Sequence, residues 1–254
     1  ITYSGTREED AVKSELMLVE CEEYLKNGGL PEISNEPNAE NRVKYVKESL
    51  LSQLFYKDLP AVFPNVNANL LHKTIELLAA TVGSTYQHQN LAQTLGVSHT
   101  TTGSQIELLE KALLVKTLYN KTPSAFKQKR TSKKIVFADN ALITALNPDI
   151  ALGKLAENAA ATHANATLFY RDELKHEIDF LIPEQKLAVE VKYQEHINTS
   201  DERTLQDFLE KNADENWRGL LATKKDFDKN ADIPHIPLWK FLATPAKNLP
   251  QLFT

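Results

Sequence analysis

Apolar residues recur at helical spacing through the first half of the chain. The pattern predicts helices over residues 7–27 and 42–54 and three further helical segments within 68–118. Gly28 and Gly29 follow the first of these helices and are expected to end it, because glycine accepts the left-handed backbone of a helix C-terminus. Pro60 and Pro64 are expected to break the chain before the next helix.

Two of these helical segments have the spacing of a helix-turn-helix. The segment QNLAQTLG at 89–96 ends on Gly96, and Ser98 then stands at the N-cap position of the next helix. The apolar runs at 114–119 and 134–138 are expected to form the two strands of a wing. The first half therefore predicts a winged helix.

The second half changes from helical spacing to alternation. It predicts an alanine-rich helix at 149–164, strands at 167–171, 176–182 and 187–193, a helix at 200–211 and a strand at 218–223. The order α-β-β-β-α-β predicts an α/β domain. The fold class expected for the whole chain is mixed α/β.

The hairpin HEIDFLIPEQKLAVEVKY at 176–193 carries four charges inside its strands. With the turn at residues 184–185, Asp179 lies opposite Glu190 and Glu177 lies opposite Lys192. All four then share one face, and the other face is apolar: Ile178, Phe180, Ile182, Leu187, Val189 and Val191.

A solvated face with a cross-strand ion pair would stabilise the sheet by about 0.2–1 kcal/mol. That explanation is insufficient, because Asp179 and Glu190 would repel each other. A cation is expected between them. Lys192 is one candidate, and a divalent metal is the preferred one, because hard cations bind carboxylate oxygens.

Composition narrows the classes of function. The chain of 254 residues has a net charge of −5, which argues against non-specific coating of nucleic acid but allows a local basic patch. Cys21 is the single cysteine, no Cys/His cluster has zinc spacing, and there is no apolar run that could span a membrane. We expect a reducing, cytoplasmic setting. Because the chain starts at Ile1 and its one methionine is Met17, we also expect a piece of a longer polypeptide.

Asp179 followed by Glu190-Val191-Lys192 resembles the D…(D/E)XK signature of the PD-(D/E)XK nuclease superfamily, and the predicted element order matches the core of that superfamily. The resemblance implies a catalytic set of Glu157, Asp179, Glu190 and Lys192. In it Glu157, Asp179 and Glu190 hold Mg or Mn, and Lys192 assists the attacking water or steadies the phosphate. The implied activity is metal-dependent phosphodiester hydrolysis.

The motif order along the chain is also similar to the C-terminal region of a family of predicted prokaryotic AAA+ ATPases. The motifs are YLKNGGLPE at 24–32, FYKDL at 55–59, the helix-turn-helix, KKIVFADNAL at 133–142 and GKLAEN at 153–158. The resemblance implies three parts: a helical N-terminal segment at 1–66, a winged helix-turn-helix at 67–147 and a restriction-endonuclease-like domain at 148–254. No GxxxxGK[ST] motif is present, so ATP is expected only in an upstream AAA+ module of the same polypeptide.

DNA is the partner expected from these motifs, and no membrane contact is expected. The candidate DNA-binding residues are Ser98, His99, Thr100, Thr101, Thr102 and Gln105 on the second helix and Lys127, Lys129 and Arg130 in the basic run KQKRTSKK. Two alternatives stay open. The winged helix could be a packing module and the basic run a solvated loop, and the nuclease-like fold could be an inactive module that binds DNA or protein.

Overall fold

The structure is a computed structural model that describes residues 7–122 and 132–253. The predicted DNA-binding residues Lys127, Lys129 and Arg130 lie outside the described residues. Within the described part of the chain, no helix is long and apolar enough to cross a membrane.

The first half is mainly helical, as predicted. Its helices are α1 (Arg7–Asn27), α2 (Ala39–Lys44), α3 (Leu59–Val62), α4 (Ala68–Ala80), α5 (His88–Leu95) and α6 (His99–Lys111). Two π-helical segments, Tyr45–Leu51 and Leu54–Asp58, connect α2 to α3. The break expected at Pro60 is wrong, because Pro60 lies in the first turn of α3, whose backbone φ proline accepts.

The strands form one mixed sheet. They are β1 (Thr85–Tyr86), β2 (Val115–Asn120), β3 (Lys133–Phe137), β4 (Leu168–Arg171), β5 (Glu177–Ile182), β6 (Leu187–Lys192), β7 (Arg218–Thr223) and β8 (His235–Pro237). Among the described residues the sheet has eight strands in the order β1-β3-β2-β4-β5-β6-β7-β8. The predicted mixed α/β class is confirmed, and the named winged-helix and nuclease folds stay predictions.

The sheet is continuous from β1, which precedes α5, to β8. The predicted wing strands β2 and β3 are antiparallel, and β2 then pairs in parallel with β4 through Tyr119–Leu168 and Asn120–Phe169. The remaining α-helices are α7 (Asn140–Leu146), α8 (Leu152–His163), α9 (Thr199–Lys211) and α10 (Leu238–Ala243), and Pro183–Gln185, Ala213–Glu215 and Ala246–Phe253 form 3-10 helices. Because α8 packs across β3, β5 and β6, it spans both parts of the sheet.

The predicted register of the charged hairpin is confirmed for the inner pairs, Phe180 to Ile182 with Leu187 to Val189, whereas the predicted pairs Asp179–Glu190 and Glu177–Lys192 lie beyond the observed ladder. One face assignment is also wrong. Leu181 pairs with Ala188, as the turn position requires. Ile178 packs with Leu181 and Ala188 under α9, whereas Phe180 belongs to the larger core on the α8 side. The cause is an irregularity in the β4–β5 ladder, where a β-bulge shifts the face on which the following residue lies. Both faces of the hairpin are therefore covered.

Candidate functional site

The centre of the charged region is a lysine that the sequence reasoning assigned to the basic run. Lys134 lies on β3 between its neighbours Thr85 and Leu118, and its side chain is buried. Its Nζ lies 2.8 Å from Glu157 Oε1, 2.7 Å from Glu177 Oε1 and 3.5 Å from Asp179 Oδ1. A distant strand of the same chain thus supplies a cation to Asp179, although the cation was expected between Asp179 and Glu190.

Two further cations engage the outer oxygens of this cluster. Lys154 Nζ lies 3.1 Å from Glu157 Oε2 and donates to the carbonyl oxygen of Gly83 at 2.9 Å. Arg171 Nη1 lies 3.6 Å from Glu177 Oε2 and also donates to the hydroxyl of Thr85. Gly83 in the turn after α4 and Thr85 at the start of β1 are therefore both connected to the carboxylates.

Glu190 and Lys192 complete the predicted set. Lys192 Nζ lies 2.9 Å from Glu190 Oε1, not beside Glu177 as the predicted pairing required, because Glu177 is bound by Lys134 and Arg171. The backbone N–H of Asp179 donates to Glu190 Oε2 at 3.2 Å, and the N–H of Val191 donates to Asp179 Oδ2 at 2.8 Å. These two N–H groups separate carboxylates that would otherwise repel.

A neighbouring amide network fixes α8, which carries Glu157. The Asn158 side chain accepts from the backbone N–H of Phe137 at 2.7 Å and donates to the Asn140 side chain at 3.0 Å. Asn140 in turn donates to the carbonyl oxygens of Leu25 and Leu155. These contacts bring together α1, β3, α7 and α8, which carry three of the motifs quoted from the sequence. Sequence reasoning did not single out either asparagine.

The pKa values in this cluster are shifted because several carboxylates are buried around one ammonium group. Burial alone would lower the pKa of Lys134, but the carboxylates of Glu157, Asp179 and Glu177 outweigh it and raise that pKa above its ordinary value. Burial and the nearby Asp179 raise the pKa of Glu157, and the same two causes raise the pKa of Glu190. Lys134 is therefore the cation that Glu157, Glu177 and Asp179 share inside the protein.

Whether this cluster can bind a metal depends on whether its carboxylate oxygens already have partners in the protein. Glu157, Glu177, Asp179 and Glu190 have eight carboxylate oxygens, and each one contacts a lysine, an arginine or a backbone N–H. Within residues 7–122 and 132–253, no group of three or more His, Cys, Asp or Glu side chains is placed to hold a metal. The arrangement does not fit Mg²⁺ or Mn²⁺ unless Lys134 is displaced.

The predicted DNA-binding residues of the helix-turn-helix divide into exposed and buried ones. Ser98 caps α6 by accepting from the N–H of Thr101, and it is exposed together with His99 and Thr100. Thr101 is half-buried. Thr102 and Gln105 are buried, at 0% and 7% exposure, so the prediction that these two contact DNA is corrected. They lie on the face of α6 that packs against the protein.

Residues 19–155 match the model of a domain of unknown function, DUF8612, over more than half of the chain. The chain belongs to the DUF8612 family. Residues 149–241 match a second domain of unknown function, DUF4143, which is found in C-terminal regions associated with AAA ATPases. The resemblance of this chain to the C-terminal regions associated with AAA ATPases is confirmed by the DUF4143 match. The DUF8612 and DUF4143 matches overlap at residues 149–155, where α8 begins.

One curated relative is the uncharacterized protein MJ1637 of Methanocaldococcus jannaschii. It is 29% identical over 159 residues, which cover 59% of this chain and 33% of the relative. The chain thus matches about a third of the length of that protein. No solved structure matches the chain.

Proposed function

We propose that this chain is a DNA-binding module without nuclease activity, the non-catalytic alternative among the functions expected from the sequence. The observation that carries the proposal is the occupation of all eight oxygens of the carboxylate cluster by groups of the protein itself. A nuclease of the expected type needs carboxylate oxygens that are free to bind a metal and activate water. Here the same oxygens join strands and helices.

The helix-turn-helix supports DNA as the partner. Residues 87–106, which include α5 and the first half of α6, contain no Asp or Glu in a chain with 34 acidic residues. His99 and Thr100 are exposed at the N-terminal end of α6, where the backbone N–H groups carry a partial positive charge. This segment is suited to phosphate and base-edge contacts, and it carries no carboxylate of its own that would repel DNA.

The absence of catalysis is tested by incubating supercoiled plasmid with the full chain and Mg²⁺ or Mn²⁺. We expect no nicking above background by the wild type or by Lys192→Ala. Nicking by the wild type that is lost in Lys192→Ala would contradict the proposal and favour the catalytic alternative.

DNA binding is tested by fluorescence anisotropy with a short labelled duplex. Affinity is expected to fall steeply as salt rises from about 50 to about 200 mM, because bound phosphates release counterions. Thr100→Glu is expected to weaken binding by about tenfold. The matched control Ser14→Glu makes the same charge change at an exposed position of α1 and should leave affinity unchanged. No binding, or equal loss in both variants, would refute this part.

A further inference from the structure

We propose that the carboxylates of Glu157, Glu177 and Asp179 form a binding site for a primary ammonium group, and that Lys134 is its built-in ligand. An ammonium group has three N–H donors, and Lys134 Nζ has three carboxylate oxygens around it at 2.8, 2.7 and 3.5 Å. These are hydrogen-bond and ion-pair distances, longer than the roughly 2.0–2.6 Å of Mg²⁺ or Ca²⁺ to oxygen. We call these three side chains the ammonium site.

The charge of the site matches a monovalent cation. Its three carboxylates face three cations, which are Lys134, Lys154 and Arg171. Removal of the Lys134 side chain would leave one uncompensated negative charge in a buried place. A single ammonium ion would restore the balance, whereas a divalent metal would leave an excess positive charge.

The surroundings also favour an organic ammonium group. The ring centroid of Phe169 lies 5.7 Å from Lys134 Nζ, within the range in which an aromatic face attracts a cation. A cavity of about 10 Å³, lined among others by Val82, Gly83 and Lys134 itself, lies beside the lysine. Truncation of Lys134 would enlarge this cavity by the volume of its apolar stem and leave both an aliphatic channel and an acidic end.

Occupation of the site joins the two parts of the molecule. Lys134 comes from β3, on the helix-turn-helix side of the sheet, and its three partners come from α8 and β5. Lys154 and Arg171 extend the same network to Gly83 and Thr85, directly before α5. Occupation of the ammonium site by Lys134 therefore fixes the orientation of the helix-turn-helix relative to the α/β part of the chain. It depends on the cluster alone and holds whether or not the chain binds DNA.

The test is chemical rescue of Lys134→Ala in the full chain. The alanine keeps Cβ, so the missing fragment corresponds to n-propylammonium. Thermal unfolding is followed with n-propylammonium chloride at about ten times its dissociation constant, and we expect the melting temperature to rise by roughly 3–6 °C. Tetramethylammonium chloride at equal concentration has the same charge but no N–H donor, and it should give no such rise.

Two further variants make every outcome decisive. Lys134→Met fills the aliphatic channel and should show no rescue. Lys134→Ala/Glu177→Gln lacks one of the three carboxylate charges and should show a reduced rescue. If Lys134→Ala does not fold alone, its refolding yield with and without n-propylammonium is the readout. Absence of rescue, equal shifts in the wild type and all variants, or stabilisation by Mn²⁺ but not by n-propylammonium would each overturn the proposal.

Discussion

The structure predicts that Lys134→Met is among the most destabilising single substitutions in this chain. Methionine is nearly as long as lysine, so the cavity left behind is small and the loss is mainly electrostatic. The substitution leaves Glu157, Glu177 and Asp179 buried without their shared cation. Removing one partner of a buried ion pair costs about 3–5 kcal/mol. For a chain of this size that loss corresponds to a melting temperature lower by roughly 6–20 °C.

The measurement is urea unfolding followed by tryptophan fluorescence, with the free energy of unfolding compared between variants. The matched control is Lys111→Met, because Lys111 also contacts a glutamate, Glu107, at 2.7 Å, with side chains that are 56% and 63% exposed. It should change stability by no more than about 0.5 kcal/mol. A loss below about 1 kcal/mol for Lys134→Met would refute the reasoning.

A double-mutant cycle separates the pair from the rest of the cluster. Glu157→Gln removes one of the charges that Lys134 compensates, so the double variant Lys134→Met/Glu157→Gln should lose less than the sum of the two single losses. The coupling energy is expected to lie between about 0.5 and 3 kcal/mol. Simple additivity would show that Lys134 and Glu157 do not act together.

Two other predictions concern backbone geometry and thiol chemistry. Gly83 has a φ of +72°, and an added Cβ would lie 2.4 Å from Lys154 Cδ, whereas Gly96 has a φ of +67° with open space around it. Both alanine variants carry backbone strain, but only Gly83→Ala also meets Lys154. Gly83→Ala should therefore lower the free energy of unfolding in urea by about 1–3 kcal/mol more than Gly96→Ala. Equal losses would contradict the close contact with Lys154. Burial raises the pKa of the Cys21 thiol to about 11, so its reaction with a disulfide reagent should accelerate about tenfold per pH unit between about 8 and 10. A plateau of that rate above about pH 9 would contradict the raised pKa.

Most helices and strands could be predicted from the sequence, because periodicity and turn residues are local signals. The strands of the hairpin at Glu177–Ile182 and Leu187–Lys192 follow from alternation, and their register follows from the turn. The short helix Asn140–Leu146 was missed, because five of its seven residues are buried and leave no polar face to mark a helical period. The face of Ile178 was wrong, because the irregularity that sets it arises in pairing with another strand.

The candidate site was predicted in part. Alternation placed Asp179 near Glu190 and indicated that a cation was required. It could not identify Lys134, because a lysine at the end of a basic run has the local pattern of a solvated loop. What makes it a core residue is contact with Glu157 and Glu177, which are distant in sequence. The sequence feature that indicates a core position for Lys134 is its spacing of two residues from Val136, which places both side chains on the same face of a buried strand.

The parallel pairing of β2 with β4 bears on how the chain can be divided. The two family matches meet near residue 150, but the sheet continues across that point. A cut there would give an N-terminal piece with an open strand edge and a buried lysine without its carboxylates. The C-terminal piece would carry a complementary edge and an excess of negative charge. Each piece would then present the surface that the other lacks, so the separated halves are expected to reassemble by fragment complementation, with Lys134 as the contact that sets their alignment.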